Sequence, residues 1–95
     1  MRLQIDGENV KTEQDFHSVF SKFLGIQNYY GNNLHALWDV LSTGVERPFH
    51  IDWNHSDISI DCLGNTFFQI VEIFEKTRCQ DEKYGWKDKF TYQIK

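Results

Sequence analysis

The segment KTEQDFHSVFSKFLG, residues 11–25, constrains the fold more than any other. Phe16, Val19, Phe20, Phe23 and Leu24 fall at i, i+3, i+4, i+7 and i+8, the single stripe of an amphipathic helix. Thr12 and Asp15 make a capping-box pair, with Asp in the usual Glu place, and Gly25 supplies the stop. Upstream the period changes. RLQIDG alternates Leu3 and Ile5 with polar neighbours and predicts a short strand ending at Gly7.

The same alternation of periods continues. After the connection IQNYYG, with Asn32 or Asn33 as cap, Leu34, Leu37, Trp38 and Leu41 form a second helical stripe that Gly44 ends. PFHIDW is a strand opened by Pro48, with Phe49, Ile51 and Trp53 on one face and His50 and Asp52 on the other. SDISIDCLGN, residues 56–65, fits either a strand, by its alternation of Ile58, Ile60 and Cys62, or a short capped helix. NTFFQIVEIFEKTR returns to helical spacing through Phe67, Ile70, Val71 and Phe74, capped by Asn65 or Thr66. CQDEKYGWKD is expected to be a charged loop, with Asp81 and Glu82 solvated. KFTYQIK closes the chain as a third strand, with Phe90, Tyr92 and Ile94 inward. Strands separated by helices imply an α/β domain with a small parallel sheet.

Ninety-five residues are enough for one domain and too few for two, so 1–95 is taken as a single domain. No repeat or linker interrupts it. Ten Lys and Arg against 14 Asp and Glu give a net charge of −4. This disfavours a nucleic-acid binder, which needs a basic face to displace phosphate counterions, and suits a basic partner. MRLQIDGENV has no apolar run of signal-peptide length, and no later stretch approaches a membrane span. Cys62 and Cys79 have no metal-type spacing and are too few for a disulfide scaffold. They are expected to be reduced thiols in a cytosolic protein, with Cys62 in the core among isoleucines.

Catalytic constellations are weak. His50, Asp52, His55 and Asp57 form the most tempting metal cluster, yet they meet no ligand-spacing rule, and strand-face polarity explains them better. No G-x-S-x-G elbow, Cys/His pair or phosphate-cradling glycine loop is present. No cofactor is expected.

QNYYGNNLHALWDVLSTG, residues 27–44, is the anomaly. Asp39 is its one formal charge in eighteen residues, where the chain average of 25% would place four or five. With Leu34, Leu37, Trp38 and Leu41 inward, the other face shows His35, Asp39, Ser42 and Thr43. An aromatic-rich, amide-rich surface around one carboxylate has the composition of an interface core. The plainer reading buries the tyrosines under the helix and pairs Asp39 with His35 at i, i+4.

At these residues the sequence resembles the barstar family of ribonuclease inhibitors. The pattern lies in YYGNNLHALWDVLSTGVERPFHIDW, residues 29–53: a Tyr-Tyr-Gly, an Asn-Leu, an Ala-Leu-Trp-Asp and a proline-led strand ending in Trp. It continues more loosely through the first strand, the first helix and QIVEIF, over about three-quarters of the chain. The resemblance implies a barstar-like α/β fold: a three-stranded parallel sheet with about four helices, residues 56–63 among the helices. It also implies an inhibitor, not an enzyme, that plugs a nuclease active site with its second helix, about residues 33–43, and the flanking loops. Asp39 matches the aspartate that takes the place of substrate phosphate.

By the same match Tyr29, Tyr30, Gly31, Asn33, His35, Trp38, Ser42, Thr43, Gly44 and Lys76 belong to the contact surface. Three departures stand out. His35 precedes the Ala-Leu-Trp-Asp where the namesake is acidic, Lys76 falls on an acidic position of the last helix, and Gly44 replaces an aromatic. They imply a cognate ribonuclease or nuclease toxin, basic overall, that differs from the namesake's target and offers an acid opposite Lys76 or His35. Two alternatives stay open: an interaction module of the same fold whose partner is not a nuclease, and, far behind, a metal enzyme.

Overall fold

A computed structural model describes residues 1–95. Three parallel strands, β1 (Arg2–Asp6), β2 (Phe49–Asn54) and β3 (Phe90–Ile94), lie side by side in chain order. Leu3 pairs with Ile51 and Ile51 with Tyr92, so the apolar positions of all three strands share one face. The helices are α1 (Glu13–Leu24), α2 (Leu34–Asp39), α3 (Ser56–Leu63) and α4 (Asn65–Lys83). A 3-10 turn at Gly7–Asn9 follows β1, and a π-helical turn at Val40–Gly44 prolongs α2.

The core lies between the apolar face of the sheet and the helices. Trp53 is fully buried, stacked on Phe16 of α1 at 5.5 Å and set edge-on to Phe67 of α4 at 4.8 Å. Its indole N–H donates to Ser59 Oγ of α3 at 3.1 Å, which gives the buried indole its partner. The capping box is present: Thr12 Oγ1 accepts from Asp15 N–H, and the Asp15 carboxylate accepts from the Thr12 N–H. Gly25 ends α1 in the left-handed region. A Cβ on Gly7 would overlap the His55 carbonyl, so only glycine fits where β1 runs past the end of β2.

Parallel sheets usually bury both faces. Here the second face is a polar network around Asp52, whose side chain is fully buried beneath its neighbours. Arg2 Nε donates to Asp52 Oδ2 at 2.7 Å, Gln4 Nε2 donates to the same oxygen at 2.7 Å, and His50 Nε2 lies 3.0 Å from Oδ1. Burial pulls the Asp52 carboxyl upward, but the hydrogen bonds from Arg2 and His50 outweigh it and hold the group well below the ordinary carboxylate range.

Several expectations need correction. Residues 56–63 are a helix, as the family resemblance implies and against their strand-like alternation, with Ser56 and Ser59 buried. Cys62 is exposed on that helix, because a helical period turns it away from Ser59. The α4 helix runs on to Lys83, so Cys79–Lys83 is not loop, and Asp81 is fully buried rather than solvated. Gly64, not Asn65 or Thr66, stands at its N-cap, without a side-chain bond. His50 and Asp52 share a face as the alternation predicts, but His55 turns to Asp6 at 3.2 Å and Asp57 is exposed in the first turn of α3. The four do not converge.

Candidate functional site

The α2 helix is anchored so that its outer face points to solvent. Asn33 is the N-cap: its Oδ1 accepts from Ala36 N–H at 2.8 Å, and its Nδ2 donates to the Gly31 carbonyl at 3.2 Å. A Cβ at Gly31 would stand 3.1 Å from Ala36 Cβ, so glycine lets the loop press against the first turn. Leu37 and Leu41 are fully buried. Each such burial stabilises by about 1.5–3 kcal/mol, which fixes the rotation of the helix. His35, Asp39 and Thr43 are thereby exposed, and Ser42 is half-exposed.

Asp39 is engaged only through its backbone carbonyl, which accepts from Ser42 Oγ at 3.3 Å and Thr43 Oγ1 at 2.8 Å. Its carboxylate has no ion pair or hydrogen bond within the chain, and the pairing with His35 is not made. The two hydroxyls spend their protons on the helix and keep lone pairs for an outside donor.

Past Asp39 the chain widens into the π turn, a form that recurs at functional sites. Arg47 stabilises its end. Nη2 donates to the Leu41 carbonyl and Nη1 to the Val45 carbonyl, both at 2.7 Å, so acceptors left over by the helix end are satisfied.

The two tyrosines divide. Tyr29 is 76% exposed, whereas Tyr30 is 5% exposed and belongs to the core. Tyr30 Oη lies 2.7 Å from His17 Nδ1, and His17 Nε2 lies 3.0 Å from Glu13. Burial first, and the Glu13 charge second, push the Tyr30 hydroxyl well above its ordinary pKa. The Glu13 carboxylate can only accept at Nε2, which leaves Nδ1 of the neutral ring to accept the Tyr30 O–H. Tyr30 is thus removed from the surface set and holds the α1–α2 loop from beneath.

Trp38 is half-buried between α2 and α4, with the Lys76 ammonium 4.3 Å from its ring centroid. Lys76 thus comes to the edge of the α2 face. Beside Tyr29 and Gly44 an apolar recess of about 340 Å³ opens, walled by Leu24, Ile26, Val40 and Val45. A side chain at Gly44 would meet nothing within 4 Å.

Residue spacing gives no sign of Arg47 and Asp81, which shape the surface from behind, or of Lys83 and Tyr84, which border Lys76 and Trp38. Lys83 was within reach of the sequence, seven residues after Lys76, had the helix been extended through the charged segment.

The fold is that of a small α/β protein that offers a charge-poor helical face with a single unpaired carboxylate. Residues 1–93 match the family described as "Barstar (barnase inhibitor)", and the chain belongs to the barstar family. The "Putative ribonuclease inhibitor YrdF" of Bacillus subtilis (strain 168) is 27% identical over 77 residues, covering 81% of this chain and 85% of that protein. The family's role is ribonuclease inhibition, and its members act as inhibitors rather than enzymes. No helix is long and apolar enough to cross a membrane.

Proposed function

We propose that this chain is a one-to-one inhibitor of a basic ribonuclease, an immunity protein against a nuclease toxin of its own bacterial cell. The second helix and its flanking loops enter the nuclease active site, and the Asp39 carboxylate takes the place of a substrate phosphate. The observation that carries this reading is Asp39 itself: a carboxylate without an internal partner, at the end of α2 in the one long charge-poor stretch of the chain. A ribonuclease site gathers Arg, Lys and His to hold phosphate, and these groups donate charge-assisted hydrogen bonds to a carboxylate placed there. Tyr29, Gly31, Asn33, Trp38, Ser42, Thr43 and Gly44 surround the contact and exclude water from it.

Two free, exposed thiols suit a reducing cytosol. The Lys76 ammonium over Trp38 makes the face less acidic, which favours a target other than barnase and also supports a second reading, an interaction module whose partner is not a nuclease.

Capture from lysate of the source cell, comparing the native chain with Asp39→Ala, tests the proposal. The expected result is a ribonuclease retained by the native chain and lost with the variant. Retention of a non-nuclease, indifferent to Asp39, favours the second reading and overturns the first.

A further inference from the structure

Lys76 and Lys83 lie two turns apart on α4 and share one face. With Trp38, Cys79, Gln80 and Tyr84 they line a groove of about 320 Å³ beside α2, and no carboxylate lines it. Most neighbouring charges are paired, Arg78 with Glu75 and Glu82, Asp81 with Arg47, and Glu82 with Lys89; Glu72, one turn before Lys76, is exposed and lies outside the groove. Lys76 and Lys83 join none of these pairs. In a chain with 14 acids and 10 bases, two adjacent unpaired ammonium groups are a local excess of the minority charge. The Gln80 amide N–H₂ donates to Tyr84 Oη at 3.4 Å along the same wall.

We infer that this groove receives an Asp or Glu side chain presented by the partner ribonuclease. The inference rests on the reading above, in which Trp38 belongs to the contact surface around Asp39 and the Lys76 ammonium stands over its ring. An ammonium stripped of water by docking needs an opposite charge, and a base or an apolar group in the groove would leave two of them unpaired. Asp39 then meets a cation of the active site, and the groove meets an acid at its rim. Two contacts of opposite sign fix orientation and reject a nuclease that carries a base at that rim.

Barnase supplies the probe. Each Arg and Lys of barnase is replaced in turn by Glu, and inhibition is measured with the native chain, Lys76→Gln, the Lys76→Glu/Lys83→Glu double variant and Asp39→Ala. The expected result is that the native chain inhibits at least one Glu-bearing barnase tenfold or more better than unmodified barnase. Lys76→Gln should reduce that preference. The double variant should cancel it and inhibit unmodified barnase at least tenfold better than the native chain does. If no replacement is preferred and the double variant gains nothing, while Asp39→Ala still abolishes inhibition, the groove assignment is overturned and the Asp39 reading stands. If neither the native chain nor the double variant inhibits any form of barnase, the groove assignment is overturned, and the Asp39 reading is decided by the capture experiment above.

Discussion

Arg47 and Asp81, 34 residues apart, form a buried two-point ion pair with N···O distances of 2.8 and 3.2 Å. Arg47 is 8% exposed in its side chain and Asp81 not at all. The pair joins three elements: Arg47 holds the carbonyls of Leu41 and Val45 at the end of the π turn, and Asp81 accepts from the Phe90 N–H of β3 at 2.7 Å. The face that carries Asp39 is therefore braced from behind by α4 and the sheet.

Breaking this pair one-sidedly leaves an uncompensated buried charge, which costs about 3–5 kcal/mol. Arg47→Met should lower the unfolding free energy obtained from urea denaturation by that amount. Arg47→Met combined with Asp81→Leu should recover only part of it, because the Leu41 and Val45 carbonyls and the Phe90 N–H stay without partners. Full recovery in the double variant would show that the bonds to the backbone contribute little.

The two adjacent tyrosines should separate stability from binding. Tyr30→Phe removes the donor to buried His17 and should cost about 1–3 kcal/mol. Tyr29→Ala, at an exposed position, should change stability by no more than about 0.5 kcal/mol. Binding should respond in the opposite order. Chemical denaturation and inhibition assays on the same two variants check this.

Acid should weaken the fold through Glu75. The Arg78 guanidinium first, and the Tyr92 hydroxyl second, hold its carboxyl down at about 2. Its folded-state pKa lies below the ordinary carboxylate value of the unfolded chain. Its stabilising contribution is thus complete above that value and disappears as pH falls towards 2. Denaturation midpoints should drop between about pH 4.5 and 2, and Glu75→Gln should flatten that drop. An unchanged slope in the variant would remove Glu75 from the account.

Asp39→Ala should leave stability within about 0.5 kcal/mol, since the carboxylate has no partner in the free chain. In the complex the loss should be on the order of 2–5 kcal/mol, the general cost of truncating one side of a buried charge pair, a generalisation to which barnase–barstar pairs themselves contribute. Calorimetry with the captured ribonuclease measures the second quantity, and thermal unfolding of the free chain the first.

Legibility in the sequence followed the range of the determining interactions. The capping box, the Phe16–Leu24 stripe and the Leu3/Ile5 alternation are local and appear as the spacing predicts, except that Phe23, stacked on Phe49, stays 41% exposed. Residues 56–63 misled because Ile58, Ile60 and Cys62 alternate as a strand would. What fixes the helix is Ser59, bonded to Trp53 Nε1 and to the Val10 carbonyl, contacts that span 6 and 49 residues. Asp81 was misplaced because its neighbours are charged and its partner, Arg47, is far away in sequence. The Asp39 face stood out through a local deficit of charge. Tyr30, one residue from an exposed tyrosine, had no local mark of its burial; His17 and Phe20 on α1 explain it.

Steady-state kinetics of the captured ribonuclease on RNA test the plug most directly. An inhibitor whose Asp39 occupies the phosphate site should raise the apparent KM, leave kcat unchanged and saturate at one inhibitor per enzyme. Asp39→Ala should weaken inhibition by about thirtyfold or more. A fall in kcat at constant KM, or equal potency of Asp39→Ala, would contradict the account and place the contact away from the active site.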